Sequence, residues 1–388
     1  MKDGDRQPVG LYVHWPFCTS KCPYCDFNSH VRESIPEERF LRAYLVELDH
    51  YYGRLPAARI GTIFFGGGTP SLMSAKTVEQ IIHHISKLWS CEPKLEITLE
   101  ANPGSSDLGR FEDFRAAGIN RLSLGVQSLK NDRLSWLGRA HSVGEAKTAA
   151  RTARGIFDNL SLDLIYATDG QSVTEWQTEL EDAISLGSDH LSLYQLTIER
   201  GTLFYRRSKA GEALDVGEEL GRAFYEETQT ICDKAGLPAY EISNHARSGY
   251  ESLHNLNYWR GGAYIGIGPG AHGRLKVGEK WFASEQIRSP EAWVERTQKK
   301  GNGTHTEVAL DRRERLEEIL MMSLRLSEGI ELSLPGNPSH KNLGEIIDFG
   351  ALESLEEMGF LQRTGNRISA SDEGRLVLNR IISELIMS

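Results

Sequence analysis

Residues 11–25 read LYVHWPFCTSKCPYC and join an apolar stretch to three closely spaced cysteines. The first five of these residues have the length and composition of a buried β-strand. Cys18, Cys22 and Cys25 follow within eight residues. Because thiolates are the usual ligands of iron–sulfur clusters, they can hold three irons of a 4Fe–4S cluster. Position 27 is Phe27, so the fourth iron would keep an open coordination position, as metal centres that do chemistry do.

The same cysteines allow three other interpretations. One is a zinc ion bound together with His30, but zinc-binding cysteines usually come in Cys-x2-Cys pairs. Residues 22–25, Cys-Pro-Tyr-Cys, alone have the form of a dithiol redox motif, which gives Cys18 no role. The third interpretation is a set of unrelated thiols. The spacing of the cysteines, together with the strand before them, favours the iron–sulfur cluster.

The composition is that of a globular protein with two or three domains. The chain has 388 residues, a net charge of −10 and a hydrophobic fraction of 39%. The negative charge argues against a broad phosphate-binding surface, so we expect no nucleic-acid partner. Five cysteines, an odd number, fit metal binding better than a disulfide framework. Cys91 and Cys232 stand alone and are expected to be packed, inert thiols.

The chain shows no targeting or membrane-spanning segment. Its first six residues, MKDGDR, contain no apolar signal core, and no apolar run approaches the length of a membrane span. We therefore expect a cytoplasmic protein with no transmembrane segment, which leaves room for transient association with a membrane.

Short apolar stretches alternate with amphipathic ones between residue 10 and about residue 200. This alternation predicts an α/β protein with a parallel sheet and right-handed crossovers. About six βα units predict a partial β/α barrel of the TIM type, which carries its site at the C-terminal ends of the strands. The expected strands are 10–15, 60–65, 95–100, 121–126, 160–166 and 190–197. The expected helices are 36–52, 74–89, 108–117, 130–153 and 173–186, with Ser74 and Ser172 as capping residues.

The remaining third of the chain changes character. A helix and then a strand over 238–243 are expected first, followed by weak signals up to residue 305. Helices over 311–327, 343–358 and 372–386, with a hairpin over 360–369, resemble a winged-helix module of α+β type. Because this segment is rich in Asp and Glu, we interpret it as a docking or lid domain and not as a DNA reader. The expected divisions are a tail over 1–9, a barrel over 10–250, a connecting segment over 251–305 and a C-terminal domain over 306–388.

Polar and glycine residues mark the ends of the expected strands. Residues 66–70, Gly-Gly-Gly-Thr-Pro, directly follow the second strand, where glycine allows a tight turn and a close approach of the backbone to a ligand. Glu100, Gln127, Asp163 and Gln195 lie at or near the ends of the next four strands. A polar strand end is common where a strand meets solvent. A polar residue at each successive end indicates a lined barrel mouth.

A Cys-x3-Cys-x2-Cys segment after the first strand of a β/α barrel resembles the radical S-adenosylmethionine (SAM) superfamily. The resemblance implies that the open iron binds the amino and carboxylate groups of SAM, and that the reduced cluster breaks a carbon–sulfur bond of SAM. It also implies a set of SAM-binding residues in this chain. They are Tyr12, Tyr24, Gly67, Gly68, Thr69, Glu100, Gln127, Arg139 and Asp163.

The expected roles within this set differ. Gly67 and Gly68 let the backbone approach the amino group of SAM, and Arg139 suits the SAM carboxylate through bidentate bonding. Asp163 matches a carboxylate that binds the ribose. For the two tyrosines, plain packing is an equal alternative. The superfamily usually continues after the fifth strand with Gly-Leu-Pro-Gly-Gln, whereas residues 167–171 here read Ala-Thr-Asp-Gly-Gln.

Within the superfamily the resemblance is to the coproporphyrinogen dehydrogenase-like group and covers nearly the whole chain. The oxygen-independent coproporphyrinogen III dehydrogenases of porphyrin biosynthesis have a fourth cysteine two residues after the third and a long N-terminal extension. This chain has Phe27 at that position, and seventeen residues precede Cys18. Both departures favour the other branch of the group, the HemW family of heme chaperones.

Residues 254–259, His-Asn-Leu-Asn-Tyr-Trp, match the mark of that family. The resemblance implies that the protein binds heme and transfers it to client hemoproteins. An imidazole can ligate heme iron, so His254 is the expected ligand, and Tyr258 and Trp259 offer flat faces to a porphyrin. The competing interpretation is an ordinary hydrogen-bonded histidine among core aromatics. His245, His272 and Cys232 are competing ligands.

Three hypotheses follow. The first is a heme chaperone that holds a 4Fe–4S cluster, SAM and heme. The second is a radical SAM enzyme that acts on a tetrapyrrole, as a coproporphyrinogen III dehydrogenase does. The third is a thiol or zinc protein without catalytic function. The sequence favours the first and leaves open whether SAM is cleaved or only bound.

Overall fold

The protein was analysed as a computed structural model, which describes residues 8–104, 109–332 and 343–387. The strands form one large sheet and two small ones. They are β1 Val9–Trp15, β2 Phe17–Cys18, β3 His30–Val31, β4 Arg59–Gly67, β5 Ser90–Ala101, β6 Arg121–Gln127, β7 Asn159–Tyr166, β8 His190–Gln195, β9 Asn244–Ala246, β10 Tyr264–Ile267, β11 His272–Val277, β12 Lys280–Gln286, β13 Thr304–Leu310, β14 Ile330–Glu331, β15 Leu361–Thr364 and β16 Arg367–Ala370.

The large sheet has eleven strands in the order β13-β12-β11-β10-β1-β4-β5-β6-β7-β8-β9. The six strands from β1 to β8 that the sequence predicts pair in parallel, each with the next. The predicted α/β class and the partial barrel are therefore confirmed. One face of these strands packs on the helices and carries the apolar residues of the main core. The other face is unusually polar, because it lines the inside of the open barrel.

The helices lie between the strands, as the alternation predicts. Ser74 and Ser172 cap their helices, as expected, by accepting hydrogen bonds from the backbone N–H groups of Thr77 and Glu175. The helices are α1 Glu37–Arg54, α2 Ala75–Leu88, α3 Phe111–Ala116, α4 Asn131–Trp136, α5 Val143–Ile156, α6 Val173–Ser185, α7 Leu203–Lys209, α8 Gly217–Lys234, α9 Leu253–Trp259, α10 Pro290–Lys300, α11 Arg312–Ser323, α12 Phe349–Glu357, α13 Asp372–Leu376 and α14 Leu378–Leu385.

Four local predictions were wrong. The helix expected over 343–358 is a short 3-10 turn at Leu343–Glu345 followed by α12, and the helix expected over 372–386 is divided into α13 and α14 at Val377. The single helix expected over 130–153 is two helices, α4 and α5, because Gly138 adopts a φ of 68° between them. The strand expected over 238–243 lies at Asn244–Ala246 instead and pairs antiparallel with β8. Residues 238–243 form turns, and their apolar side chains are spaced as they would be in a strand. The first residue of the helix expected over 108–117 lies outside the described residues.

The sheet also extends where the sequence gives only weak signals. β10 pairs in parallel with β1, on the side opposite β4, and β11, β12 and β13 follow as antiparallel strands. β1 is therefore an interior strand, although it comes first in the chain. Since β10 is only four residues long, its apolar run is too short to stand out as a strand.

The C-terminal module has its own core of buried residues between Leu316 and Leu385. It contains a three-stranded sheet in the order β14-β16-β15, and the expected hairpin is β15 and β16. The module packs against α9: Ser323 Oγ donates to the Trp259 carbonyl at 2.9 Å. Because α9 lies at the N-terminal ends of β1 and β4, the module sits at the opposite end of the sheet from the cysteines. No helix within the described ranges has the length and apolar character needed to cross a bilayer.

Glu47 is a fully buried carboxylate that connects three parts of the barrel. It lies on α1 and accepts hydrogen bonds from the backbone N–H groups of Gly268 at 2.9 Å and Gly303 at 2.7 Å. The indole N–H of Trp293 also lies 3.2 Å from both carboxylate oxygens. Burial raises the pKa of Glu47 to about 7, and the hydrogen bonds act in the opposite direction.

We predict that Glu47→Ala lowers the free energy of unfolding by about 3 kcal/mol, because the substitution leaves three buried donors without an acceptor. Urea denaturation followed by circular dichroism measures this loss. Glu38→Ala is the control, since Glu38 is an exposed residue of the same helix that pairs with Arg42. The control should change stability by less than about 0.5 kcal/mol. Equal losses in the two variants would show that Glu47 has no special structural role.

Candidate functional site

All three clustered cysteines line one cavity of about 660 Å³ at the C-terminal ends of the parallel strands. We call it the upper cavity. It also contains eight of the nine residues that the resemblance implies for SAM, which are Tyr24, Gly67, Gly68, Thr69, Glu100, Gln127, Arg139 and Asp163. Phe27 occupies the position at which the coproporphyrinogen III dehydrogenases have a fourth cysteine. It lines the same cavity and is 58% exposed. Every residue that lines the cavity precedes position 200, so the described part of the C-terminal module does not cover it.

The cysteine loop is attached to the glycine turn by backbone hydrogen bonds. Gly68 N–H donates to the Trp15 carbonyl at 2.7 Å, and Thr69 N–H donates to the Phe17 carbonyl at 2.8 Å. The Thr69 hydroxyl donates to Cys18 Sγ at 3.4 Å. A Cβ atom at residue 68 would lie 2.6 Å from the Phe17 carbonyl oxygen and 3.0 Å from Cys18 Sγ. Residue 68 must therefore be glycine for the loop and the turn to lie this close together.

His14 and Asn28 hold the far end of the cysteine loop. His14 Nε2 lies 2.9 Å from the Asn28 carbonyl, and its Nδ1 lies 3.0 Å from the Tyr12 hydroxyl. The Asn28 amide donates to the carbonyls of Pro269 and Arg288, both at 2.9 Å. Burial lowers the pKa of His14 to about 4, so its imidazole is neutral. The loop is thus anchored at both ends while the three thiols face the cavity.

The three thiols line one cavity but do not converge on a single metal position. Within the described residues, no three His, Cys, Asp or Glu side chains converge closely enough to hold one metal ion. A 4Fe–4S cluster requires a different arrangement, since each thiolate binds its own iron. Burial raises the pKa of Cys18 and Cys25. Iron binding must therefore displace protons from these thiols.

Arg139 reaches the cavity from the turn between α4 and α5. Its guanidinium donates to Asn102 Oδ1 at 2.5 Å, to the Gly125 carbonyl at 3.1 Å and to Cys22 Sγ at 3.4 Å. Its Nε–H is buried with no hydrogen-bond partner. A buried donor of this kind is costly unless a ligand accepts from it, so the site fits a bound carboxylate.

Two partly buried carboxyl groups also line the upper cavity. Glu100 accepts a hydrogen bond from Gly67 N–H at 3.1 Å. Burial, together with the nearby Asp163 carboxyl, raises its pKa to about 8. Asp163 accepts from the hydroxyl of Ser123 at 2.9 Å and from that of Ser161 at 3.1 Å, and burial raises its pKa as well. These two carboxyl groups fit the cationic and hydroxyl-bearing parts of SAM.

Among residues 8–104, 109–332 and 343–387, two residues other than glycine adopt positive φ angles, and both are at strand ends. Gln127 ends β6 with a φ of 66° and lines the upper cavity. Ala167 follows β7 with a φ of 58°, at the position where the superfamily usually has glycine. The loop after it is held by Asp169 N–H, which donates to the Leu214 carbonyl at 3.1 Å. The departure from the superfamily pattern at 167–171 therefore keeps a left-handed turn without glycine.

Comparisons with known proteins agree with this geometry. The profile of the Radical SAM superfamily matches residues 12–183, and that of the HemN C-terminal domain matches residues 310–377. The heme chaperone HemW of Escherichia coli (strain K12) is 34% identical over 381 residues, which are 97% of each chain. The chain belongs to the HemW family of radical SAM proteins. The family implies a 4Fe–4S cluster and SAM, and the cavity described above fits both.

The relatives of this HemW-family protein also include eukaryotic proteins. Radical S-adenosyl methionine domain-containing protein 1, mitochondrial, from Danio rerio is 37% identical over 390 residues, which are 98% of this chain and 87% of that protein. Among solved structures, coproporphyrinogen III oxidase (HemN) from Escherichia coli has a TM-score of 0.81 at 20% identity and covers 99% of this chain and 91% of its own. The HemN likeness shows the fold. The cytoplasmic location stays a prediction.

In this HemW-family protein, Tyr12 is not among the residues that line the upper cavity, and its contact with SAM stays a prediction. Its ring stacks on Phe64 at a centroid distance of 6.1 Å and on His254 at 6.4 Å. A Cβ atom at Gly66 would lie 2.8 Å from the Tyr12 ring. Tyr12 therefore supports the glycine turn from below, which corresponds to the packing alternative.

The heme motif forms α9, which closes the lower end of the barrel. His254 is 1% exposed, and both of its ring nitrogens are bonded. Nδ1 lies 2.8 Å from the Thr62 hydroxyl, and Nε2 lies 2.8 Å from the Tyr258 hydroxyl. Burial lowers the pKa of His254 to about 3. In this conformation His254 is a hydrogen-bonded core histidine. The sequence predicts that it ligates heme iron, but here neither ring nitrogen is free to do so.

The other residues considered for heme are placed differently. The Trp259 side chain hydrogen-bonds to Glu241, next to the C-terminal module. His245 and Cys232 are buried, and His272 is exposed at the start of β11. None of these side chains lies beside His254 in the described structure.

Sequence reasoning missed several residues of the upper cavity. Ser123 and Tyr194 line it alongside Asp163, and His141 lies near Arg139. A usable signal exists for Ser123, because it faces the same side of β6 as Gln127 in the alternating pattern. Tyr194 has no such signal, because it is adjacent to Gln195 and faces the other side of β8. His141 carries no such signal, since it lies in a turn.

We predict that Gly68→Ala prevents full assembly of the cluster, because the added Cβ displaces Cys18. After anaerobic reconstitution, the variant should hold less than half of the wild-type iron and sulfide per chain. Gly53→Ala is the control, since a Cβ there meets no atom within 4 Å. Wild-type iron content in Gly68→Ala would contradict the proposed attachment of the loop.

A second prediction concerns pH. Below pH 8 the Glu100 carboxyl of the ligand-free protein is mostly protonated, because its pKa is about 8. A bound cation favours the carboxylate, so binding of SAM should release a proton, and SAM affinity should rise with pH by up to about tenfold per unit until pH 8. Glu100→Gln should bind SAM more weakly and lose this dependence. Equilibrium dialysis of the reconstituted protein between pH 6.5 and 8.5 measures both, with Glu38→Gln as the charge control.

Proposed function

We propose that this protein binds heme and transfers it to client hemoproteins, and that it holds a 4Fe–4S cluster and SAM in the upper cavity. The observation that carries the proposal is the similarity to the heme chaperone HemW over 97% of both chains. The motif of that family, residues 254–259, forms the helix that closes the barrel. Phe27 in place of a fourth cysteine supports a chaperone over a dehydrogenase.

The upper cavity supplies the radical SAM part of the proposal. Cys18, Cys22 and Cys25 would hold the cluster, Arg139 would bind the SAM carboxylate, and the carboxyl groups of Glu100 and Asp163 would bind its amino and ribose groups. When both are bound, the cluster would supply an electron, and SAM would supply a carbon–sulfur bond that this electron can cleave. The side chains around them orient SAM and exclude water.

His254 remains the proposed heme ligand. One of its ring nitrogens must first lose its hydrogen bond and then coordinate the iron. A neutral imidazole is the form that ligates heme iron, and burial keeps His254 neutral at physiological pH. The ring would have to give up its bond to either the Thr62 or the Tyr258 hydroxyl. Heme binding is therefore coupled to a local rearrangement around the His254 side chain.

The alternative function is chemistry on a tetrapyrrole, as in coproporphyrinogen III dehydrogenases. The observation that favours it is that the cysteines, Arg139, Glu100 and Asp163 all face one cavity, as radical chemistry requires. Incubation with a reductant, SAM and coproporphyrinogen III would then release carbon dioxide. A protein that forms no such product but binds heme supports the chaperone.

The test of the proposed function is heme titration of the anaerobically reconstituted protein, followed by transfer to an apo-hemoprotein. We predict a saturable spectral change with one heme per chain and transfer to the acceptor. His254→Gln should lose the spectrum of a nitrogen-ligated heme, whereas His245→Gln, a substitution of another buried histidine, should keep it. Melting temperatures show whether both variants are folded. No saturable heme binding by the wild type would refute the function, and an unchanged spectrum in folded His254→Gln would refute the ligand.

A further inference from the structure

A row of buried polar side chains runs through the inside of the barrel, from the upper cavity towards α9. At its centre are Ser161 of β7 and His190 of β8, both of which are 0% exposed. They lie side by side, because the register of the two strands pairs Ser161 with His190. Buried polar groups are costly unless they bond to one another. Packing alone therefore does not explain why they are here.

The row starts at Asp163, which lines the upper cavity. The Ser161 hydroxyl lies 3.1 Å from Asp163 Oδ1 and 2.8 Å from His190 Nδ1. His190 Nε2 lies 2.9 Å from the Tyr240 hydroxyl. We call these four residues, Asp163, Ser161, His190 and Tyr240, the interior relay. Each member is within hydrogen-bond distance of the next.

The lower end of the interior relay meets the heme motif. The backbone N–H of Ser252, the residue that caps α9, donates to the Tyr240 hydroxyl at 3.4 Å. The side chain of Asn255, in the first turn of α9, hydrogen-bonds to the same hydroxyl. Asn255 belongs to the motif over 254–259. A continuous path of hydrogen bonds therefore joins the carboxyl group expected to bind the SAM ribose to the heme motif.

The hydrogen bonds of the interior relay can run in two directions. The Ser161 hydroxyl has one proton, which it donates either to Asp163 or to His190. Burial lowers the pKa of His190 well below its usual range, so the ring is neutral and only one of its nitrogens carries a proton. If Ser161 donates to Asp163, that proton is on Nδ1, and Tyr240 donates to Nε2. If Ser161 donates to Nδ1, the imidazole proton is on Nε2, and the Tyr240 oxygen accepts it.

A bound SAM distinguishes between the two directions. Burial raises the pKa of Asp163, although the hydrogen bonds of neighbouring serines oppose this, and the neutral form is favoured when no ligand is bound. A neutral Asp163 donates its proton to Ser161, which then donates to His190. The sulfonium charge and the ribose hydroxyls of SAM favour the carboxylate, which only accepts hydrogen bonds. Ser161 then donates to Asp163.

We propose that the interior relay reverses its direction when SAM binds at Asp163, and that the reversal carries this event to Asn255 of the heme motif. His190 and Tyr240 are therefore positioning residues, which act through Asp163. The inference rests on the SAM part of the proposed function and not on heme transfer.

The protons of the reversal balance. Asp163 loses one proton, each member of the relay passes one to the next, and one leaves the Tyr240 hydroxyl, whose residue is half-buried at the lower end. The imidazole of His190 stays neutral, because it gains a proton on Nδ1 and gives up the one on Nε2. When the Tyr240 proton turns towards His190, Asn255 must offer its amide N–H to Tyr240 in place of its amide oxygen.

Nitrogen-15 NMR of the imidazole rings tests the reversal, because it distinguishes a protonated ring nitrogen from an unprotonated one. The full reconstituted chain is labelled at histidine and measured with and without SAM, with the cluster oxidised and no reductant present. The spectrum of His190→Gln assigns the His190 signals. We expect the proton on Nε2 without SAM and on Nδ1 with SAM. The same protonated nitrogen in both states would overturn the inference.

A second test uses two half-buried tyrosines of one segment. Tyr240→Phe removes the hydroxyl that joins His190 to Asn255, whereas Tyr250→Phe removes a hydroxyl outside the interior relay. SAM should shift the side-chain amide signals of Asn255 in the wild type and in Tyr250→Phe, and should leave them unchanged in Tyr240→Phe. Because coupling between two sites is reciprocal, Tyr240→Phe should also bind SAM about fivefold more weakly, and Tyr250→Phe should stay within about twofold of the wild type.

The outcomes separate the inference from the proposed function. If the wild type does not bind SAM, that part of the proposed function fails and the inference fails with it. If the wild type binds SAM but His190 keeps its tautomer, or if Asn255 still responds in folded Tyr240→Phe, only the inference is overturned. A change of tautomer, with an Asn255 response that needs the Tyr240 hydroxyl, supports the interior relay. Melting temperature and iron content verify that each variant is folded.

Discussion

The pairing of β1 with β4 continues past the ends of both strands, and the functional site depends on this continuation. Gly68 and Thr69 donate to the carbonyls of Trp15 and Phe17, so the cysteine loop and the glycine turn form one rigid unit. The hydrogen bonds are short because residue 68 has no side chain. Three thiols on a free loop would not stay positioned for a cluster. Here the sheet itself holds them at the edge of the upper cavity.

The barrel has two ends with separate chemistry. At the upper end, β5 and β7 bring Glu100 and Asp163 to the cavity that the cysteines line, and the turn between α4 and α5 brings Arg139 there. At the lower end, α9 closes the barrel, and Glu96 caps it by accepting from the backbone N–H groups of Leu253 and His254 at 3.1 and 3.0 Å. The C-terminal module packs on this lower end. The module therefore contacts α9 and does not cover the upper cavity. This position fits a docking domain better than a lid over the cavity.

The state of His254 connects the fold to the proposed function. A histidine with two hydrogen bonds and a lowered pKa is a stable part of the core, yet one of its partners, Thr62, faces a cavity. A chaperone must bind its cargo and also release it. The imidazole would give up a hydrogen bond when it binds heme iron and form that bond again after transfer. The hydrogen bond within the protein therefore competes with the iron for the imidazole. This competition limits the net affinity and favours release.

The sequence by itself determined six parallel strands of the large sheet, the cysteine triad, and the placement of Glu100, Gln127 and Asp163 at or near the ends of their strands. It could do so because side chains alternate along a strand and because parallel strands end at one edge. Only the tertiary structure decided the rest. It placed β10 beside β1, put Tyr12 beneath the glycine turn and buried His254 with both nitrogens bonded. These outcomes depend on contacts between segments far apart in the chain, such as Thr62 with His254, and no local pattern encodes them.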